Sequence, residues 1–169
     1  MTSFTKLLFE RLAGAHERAA FACEHETLTD YLVRYAGQDE RGELASCYVA
    51  VPPESKRVVG YYTLSAHAIL AEELSDQQQR GLPRYDRFPA FLIGRLARDI
   101  SVKDRGVGRM LLLDAINRLV ATEAAGRMIV VDPIDQKAAA FYGRFGFMPL
   151  GRATARLFLP MKVARKLVL

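Results

Sequence analysis

Between Thr27 and Gly37 the apolar residues Leu28, Tyr31, Leu32, Tyr35 and Ala36 recur at i, i+3, i+4, i+7 and i+8, the spacing that lines up one face of an α-helix. Thr27 reads as its N-cap and Gly37 as its end. Two runs rich in β-branched and aromatic residues, Ser46 to Val51 and Arg57 to Ser65, flank the segment Pro52-Pro53-Glu54-Ser55-Lys56 and predict a β-hairpin. A polar stretch follows from Glu72 to Arg87, partly helical and broken by Gly81 and Pro83, and reads as a lid or binding loop. Ala90 to Ile100 predicts a strand. The next helix, Val107 to Glu123, carries Met110, Leu111, Leu112, Leu113, Ala115, Ile116, Leu119 and Val120, apolar round most of its circumference and therefore deeply packed. Arg127 to Asp132 predicts another strand, and Asp135 to Arg144 a short helix capped by Asp135 and terminated by Gly146. The last strand falls around Ala155 to Met161. The order reads β-α-β-β and then β-α-β-α-β, a mixed sheet with helices on its faces, in the α/β (α+β) class.

Composition narrows this picture. A chain of 169 residues, 50% hydrophobic, suits one compact domain spanning residues 1–169, because two separate cores would each be small. A charged fraction of 25% is that of an ordinary globular chain and excludes a disordered one. No apolar stretch approaches the ~20 residues of a transmembrane helix. Glu10 and Arg11 interrupt the apolar run near the N-terminus, so no signal peptide is expected there and a cytoplasmic location is. Cys23 and Cys47 form no disulfide framework and fit a reducing compartment. With His16 and His25, Cys23 has too irregular a spacing to be assigned as a metal site.

The formal charge of +5 is unevenly spread. Residues 1–79 carry 7 basic and 12 acidic groups, residues 80–109 carry 8 and 3, and the tail from Arg152 holds Arg156, Lys162, Arg165 and Lys166 with no acid. Two basic stretches beside an acidic N-terminal half suit a polyanionic ligand, either cofactor phosphates or nucleic acid.

Two segments carry candidate chemistry. In the first, Asp99 to Arg109, a strand passes into a helix through Gly106 and Gly108. Glycines there allow a tight turn and close backbone approach, and the free amides of a helix start attract phosphate oxygens. Lys103, Arg105 and Arg109 add positive charge. A Walker loop would need Lys-Ser or Lys-Thr where Arg109-Met110 stands, and a dinucleotide fingerprint a third glycine where Leu111 stands. By itself the G-x-G leaves a purely structural turn open. In the second segment, Ala138 to Phe147, the aromatics Phe141, Phe145 and Phe147 read as core. Tyr142, one residue on from Phe141, points about 100° away from it, so its hydroxyl is a candidate general acid.

The two segments together resemble the acetyl-CoA-binding loop, Gln/Arg-x-x-Gly-x-Gly/Ala, and the Phe-Tyr-x-x-x-Gly-Phe end of the GNAT acetyltransferases. Asp30 to Tyr35, Val59 to Ser65, Leu82 to Arg84, Gly94 to Ala97 and Arg156 to Pro160 extend the resemblance to the GNAT toxins of toxin–antitoxin pairs, which acetylate the α-amine of aminoacyl-tRNA. The resemblance implies the GNAT acyl-CoA N-acyltransferase fold, with a mixed sheet of about six or seven strands and helices on both faces. It implies that Leu96, Ala97 and Arg98 pair with the pantetheine arm, that Lys103, Asp104, Arg105, Gly106, Val107, Gly108 and Arg109 hold the pyrophosphate, and that Asp135 and Phe141 border the cofactor. Tyr142 would protonate the departing thiolate, and a backbone N–H of Leu96–Arg98 would hold charge developing on the acyl oxygen. For the acceptor, Arg80, Arg84, Arg87 and Arg95, joined by Arg98, form the expected tRNA surface, with the tail as a second candidate. The implied partners are aminoacyl-tRNA, a ribbon-helix-helix antitoxin and a second copy in a homodimer, with no membrane. Acetyl-CoA is the expected acyl donor and no metal is expected. A GNAT enzyme acting on a small amine or protein amino group is the alternative. Lys103 replaces the family's Gln or Arg, and Phe21 to Leu28 replaces the toxins' Cys-Gly-Asn-type run.

Overall fold

The computed structural model describes residues 6–152 and 155–168. Met1 to Thr5, the start of the N-terminal run considered above, lie outside them. Among the described residues, seven strands form one mixed sheet in the order β1-β2-β3-β4-β5-β7-β6. They are β1 Leu8–Arg11, β2 Ser46–Val51, β3 Gly60–Leu70, β4 Arg87–Arg98, β5 Met128–Val131, β6 Met148–Pro149 and β7 Leu157–Pro160. The chain divides into two compact units, Met1–Ser65 with Gly94–Ala115, and Ala66–Ile93 with Ile116–Leu169.

In the first unit the expected hairpin is β2 with β3, antiparallel and in register from Ser46↔Leu64 to Ala50↔Gly60. β1, for which the sequence pattern marks no bounds, adds to β2 from Leu8↔Val51 to Arg11↔Tyr48. Its burial is only partial, which is why no clean alternation announces it. The first helix departs from expectation at both ends. It begins after His25 rather than Thr27 and runs as α1 (Glu26–Asp30), a π turn (Tyr31–Tyr35) and α2 (Ala36–Arg41), ending at Gly42 rather than Gly37. In the π turn the Ala36 N–H reaches back to the Tyr31 carbonyl, one residue beyond the α-helical acceptor. That extra residue turns Tyr35 outward, 52% exposed, while Tyr31, Leu32 and Ala36 stay inside. They pack with Phe21, Cys47, Val49, Val51, Val58, Tyr61 and Ala97 in one core. Burial pushes the Cys47 thiol up to about 12, so it stays protonated and inert.

The second unit has its own core of Ile69, Leu74, Phe88, Ala90, Met128, Val130, Leu150 and Phe158. β4 and β5 pair in parallel from Ala90↔Met128 to Ile93↔Val131, and β7 lies antiparallel to β5 and to β6. The polar stretch after β3 holds one 3-10 turn and α3 (Asp76–Gln79). Val107–Ala121 is α4, and Leu111, Leu112, Ala115 and Ile116 on it are fully buried. Gln136–Gly143 forms α5, whose N-cap Asp135 accepts from the Ala138 N–H at 2.7 Å, as the sequence predicts. Gly146 follows it at φ +99°, a conformation that a side chain would strain. The sequence pattern misses β6, which has only two residues, and α6 (Met161–Leu167).

Candidate active site

β4 runs on to Arg98, whereas β5 ends at Val131, the partner of Ile93. The main chain of Gly94 to Arg98 therefore extends past β5 and presents strand edge that β5 does not pair. Within this extension Ala97 is buried, while Leu96 and Arg98 are half-buried. Arg98 grips Glu24 with two hydrogen bonds, at 2.9 and 3.3 Å. Burial disfavours the charged Glu24 carboxyl, but its own backbone N–H and Arg98 hold it below the ordinary carboxylate range. The Arg95 guanidinium lies 3.6 Å from the centre of the Tyr31 ring, a close cation–π contact. Tyr31 in turn donates to Asp39 at 2.7 Å, and burial with that carboxylate raises its phenol above the usual range.

The strand does not continue to Ile100 as the sequence suggests, because Asp99 ends it. Asp99 is 4% exposed. Its carboxylate accepts from the Ala22 N–H at 2.9 Å and the Ser101 N–H at 2.8 Å, with Arg57 at 3.8 Å. Burial pushes its pKa upward, yet the bonds to Ser101 and Ala22 outweigh this and leave it lowered. A 3-10 turn, Ile100–Val102, follows, then Lys103 to Gly106. Asp104 and Gly106 both have positive φ, at +63° and +75°. Nothing lies within 4 Å of where a Gly106 Cβ would stand, so the constraint there is backbone conformation, not space. The first helical bond of α4 is Met110 N–H to the Gly106 carbonyl, at 3.1 Å. The amides of Val107, Gly108 and Arg109 precede it and have no helical acceptor. Lys103, Asp104, Arg105 and Arg109 are exposed around this terminus, and Val107 is buried beneath it. A pinned loop, open amides and surplus cations suit a phosphate group.

In the second unit, Tyr142 corrects the sequence reading. One residue's rotation from Phe141 does not free it from the aromatic cluster: its ring lies 5.3 Å from that of Phe141 and 5.4 Å from that of Phe147. Tyr142 is 7% exposed, whereas Phe141 and Phe145, expected in the core, are only half-buried. Its hydroxyl makes no hydrogen bond within the described chain, yet no described buried side-chain oxygen lacks a partner. The ring is thus enclosed while the hydroxyl oxygen opens to solvent. Burial alone raises its pKa well above the ordinary phenol range, so the group is protonated at neutral pH. Phe141 precedes it on α5, Asp135 caps the far end of that helix, and Arg144 lies 5.8 Å from the centre of the Phe141 ring.

Arg80, Arg84 and Arg87 are exposed in the second unit. Arg156, in the tail considered as a second basic surface, is instead clamped by Asp132 at 2.8 and 3.0 Å and lies 3.0 Å from the Nε2 of His67. Of the residues considered for a metal, His16 and Cys23 are held by other partners. His16 is buried, its Nδ1 accepting from the Ala13 N–H and its Nε2 bonded to Glu10 at 2.7 Å. Cys23 bonds the His25 carbonyl and Thr29. Asp99 and Glu24 are the positioning groups that sequence reasoning passes over. The Asp-x-Ser spacing of Asp99 and Ser101 is the available signal for the first, and nothing local marks the second.

No family model matches the chain. A tRNA-acetylating toxin of Mycobacterium tuberculosis is 33% identical over 94% of this chain and 94% of its own length. A probable toxin, TacT, of Sinorhizobium fredii is 26% identical over 99% and 98%. Among solved structures, a tyrosine-to-phenylalanine mutant of KacT superposes with a TM-score of 0.89 at 29% identity, over 96% of this chain and 99% of that one. AtaT complexed with acetyl-methionyl-tRNAfMet gives 0.86 at 28%, over 97% and 100%. A mutant AtaT bound to acetyl-CoA and the C-terminus of the antitoxin AtaR gives 0.80 at 25%, over 96% and 97%. With sequence likeness along nearly its whole length and the mixed sheet that the residues predict, the chain belongs to the GNAT-fold tRNA-acetylating toxins of toxin–antitoxin systems.

Proposed function

We propose that this chain, as one GNAT domain, transfers acetyl from acetyl-CoA to the α-amine of aminoacyl-tRNA and so blocks translation. The observation that carries the reading is the run from Gly94 to Arg109: strand edge beyond β5, then a loop pinned by Asp99, then the open amides of α4. Bound acetyl-CoA supplies an activated thioester, the acyl group to be moved. Leu96, Ala97 and Arg98 would hold the amide-rich arm by main-chain hydrogen bonds, and Lys103 to Arg109 the pyrophosphate. A backbone N–H of Leu96–Arg98 would meet charge developing on the acyl oxygen. Tyr142, protonated and without a competing partner, would deliver its proton to the leaving sulfur. That one of the similar structures is a tyrosine-to-phenylalanine mutant of its protein fits this assignment.

The acceptor follows from proton energetics as well as from the relatives. A lysine side chain costs about 4 kcal/mol to deprotonate at pH 7.4, whereas an α-amine with pKa near 8 costs little. An acceptor that is readily deprotonated at neutral pH asks for no strong base, which favours the second. Arg80, Arg84, Arg87 and Arg95 are the proposed contacts to tRNA, and tRNA affinity should fall steeply with salt. The same reading makes the protein cytoplasmic and homodimeric, and pairs it with a ribbon-helix-helix antitoxin. The described residues include no helix long and apolar enough to cross a membrane. The test is incubation with labelled acetyl-CoA and a charged tRNA pool. Label should enter the RNA fraction as acetyl-aminoacyl ester. Label confined to small amines or protein, with flat salt dependence, would overturn the tRNA assignment.

A further inference from the structure

Several arginines described above are committed within the fold, Arg98 to Glu24 and Arg156 to Asp132, as is Arg11 to Glu40. Arg80, Arg84 and Arg87 make no ion pair among the described residues. They share the segment 80–88 with an aromatic that the site described so far does not use. Tyr85 is 65% exposed, and its ring centre lies 6.3 Å from that of Phe88, which is only 5% exposed. Together with Leu82, Pro83 and Arg84 these two rings border a hollow of about 430 Å³, within the range of small-ligand pockets.

A single exposed tyrosine needs no explanation, but this one is held in place. The Tyr85 N–H bonds the Pro83 carbonyl at 2.9 Å and the Asp86 carbonyl accepts from Ala71 at 2.9 Å. The Leu82 N–H bonds the Gln79 carbonyl at 3.1 Å, and the Gln79 side-chain amide reaches the Ala71 carbonyl at 3.0 Å. Tyr85 therefore presents its face from a loop fixed by its own main chain, in a segment with three arginines and one carboxylate, Asp86.

We propose that Tyr85, backed by Phe88, is a stacking platform for an unpaired nucleotide of the tRNA acceptor end, with Arg80, Arg84 and Arg87 holding the adjoining phosphates. This rests on the reading of aminoacyl-tRNA as acceptor and adds a residue that reads the single strand itself. An open aromatic face beside a hollow suits a base already out of its helix, because bases in a duplex are stacked on one another. Arginines without acid partners supply the charge complement to the backbone on either side. A protein partner docking on the same ring is the competing occupant, and the experiment separates the two.

The full-length protein is titrated with uncharged tRNA and with the same tRNA trimmed of its unpaired 3′ nucleotides, for wild type, Tyr85→Ala, Tyr85→Phe and Arg84→Gln. Tyr85→Ala should weaken binding of intact tRNA by roughly tenfold or more, as loss of one stacked base does. Tyr85→Phe should retain wild-type affinity, and acetyl-CoA affinity should not change in either. The penalty of Tyr85→Ala should vanish on trimmed tRNA and leave the salt slope unaltered, whereas Arg84→Gln should lower the slope by about 0.7 to 0.9. Equal tRNA binding by wild type and Tyr85→Ala would overturn the proposal, as would an equal loss on intact and trimmed tRNA. Retained tRNA binding with lost antitoxin binding would assign Tyr85 to the protein interface instead. A wild-type protein that neither binds nor acetylates tRNA would remove the underlying reading, an outcome distinct from a Tyr85 variant that behaves as wild type.

Discussion

The loop from Asp99 to Arg109, proposed to bind the cofactor, and the end of α5 around Tyr142, the proposed acid, hold their groups by opposite means. The loop is polar and mostly exposed, and its anchor, Asp99, is buried. What it offers a ligand is several backbone amides and several cations, none of which is unique. Tyr142 is enclosed by aromatic rings with no polar partner among the described residues, and it offers one hydroxyl. Binding distributed over many groups tolerates the loss of any one of them, whereas chemistry concentrated in one proton does not.

The sharpest way to break the contrast is Tyr142→Phe. It should reduce kcat by ~10²–10⁴ while acetyl-CoA affinity, measured by calorimetry, stays near wild type. Comparable loss in both would make Tyr142 a binding group and erase the distinction. Next comes the anchor. Asp99→Ala removes the acceptor of the Ala22 and Ser101 amides, at about 0.5–1.5 kcal/mol net for each of these part-buried hydrogen bonds. A lowered melting temperature accompanied by weaker acetyl-CoA binding is expected, because the loop loses its pin.

The same anchor has a pH signature. Its folded-state pKa is lowered, so the carboxylate contributes stability above its unfolded value, near pH 4, and that contribution is lost as pH falls through the folded value. Urea midpoints of wild type and Asp99→Asn should therefore differ most at neutral pH and converge in acid. A constant gap would mean that the charge of Asp99 carries nothing.

Within the loop the expected effects are smaller. Gly106→Ala forces a side chain into φ +75° at about 1–2 kcal/mol, and should raise the acetyl-CoA Kd by up to about tenfold without changing the pH profile. Lys103→Gln removes one cation among several and should cost about 0.3–1 kcal/mol, a few-fold in Kd that added salt diminishes. A loss as large as that of Tyr142→Phe from either change would show that the loop depends on single residues after all.

Much of this is legible in the residues. The hairpin, α4, β5 and the Asp135-capped α5 follow from period and capping, and the loop chemistry follows from two glycines beside three cations. What escapes is set by tertiary contact. Tyr142 is more buried than its neighbour Phe141 because Phe147, from the far side of Gly146, closes over it, and a helical wheel of α5 does not contain that residue. The grip of Arg98 on Glu24 and the stack of Arg95 on Tyr31 join residues far apart in sequence, so neither arginine's partner can be read locally. β1 and β6 go unmarked because a short strand that is partly buried, like β1, or exposed, like β6, carries no alternation.

The π turn at Tyr31–Tyr35 bears on how this chain tolerates insertions and deletions. A one-residue deletion inside it would turn the bond from the Ala36 N–H to the Tyr31 carbonyl into an ordinary α-helical one. Ala36, fully buried, and Asp39, bonded to Tyr31, would keep their places. A deletion between Ala36 and Asp39, where the helix holds no spare residue, would instead rotate Asp39 by about 100° and break that bond, and Arg95 would stack on a ring no longer tethered. The irregularity is thus a spare residue, and a homologue one residue shorter within Tyr31–Tyr35 needs no compensating change in α2 to keep the same guanidinium in place.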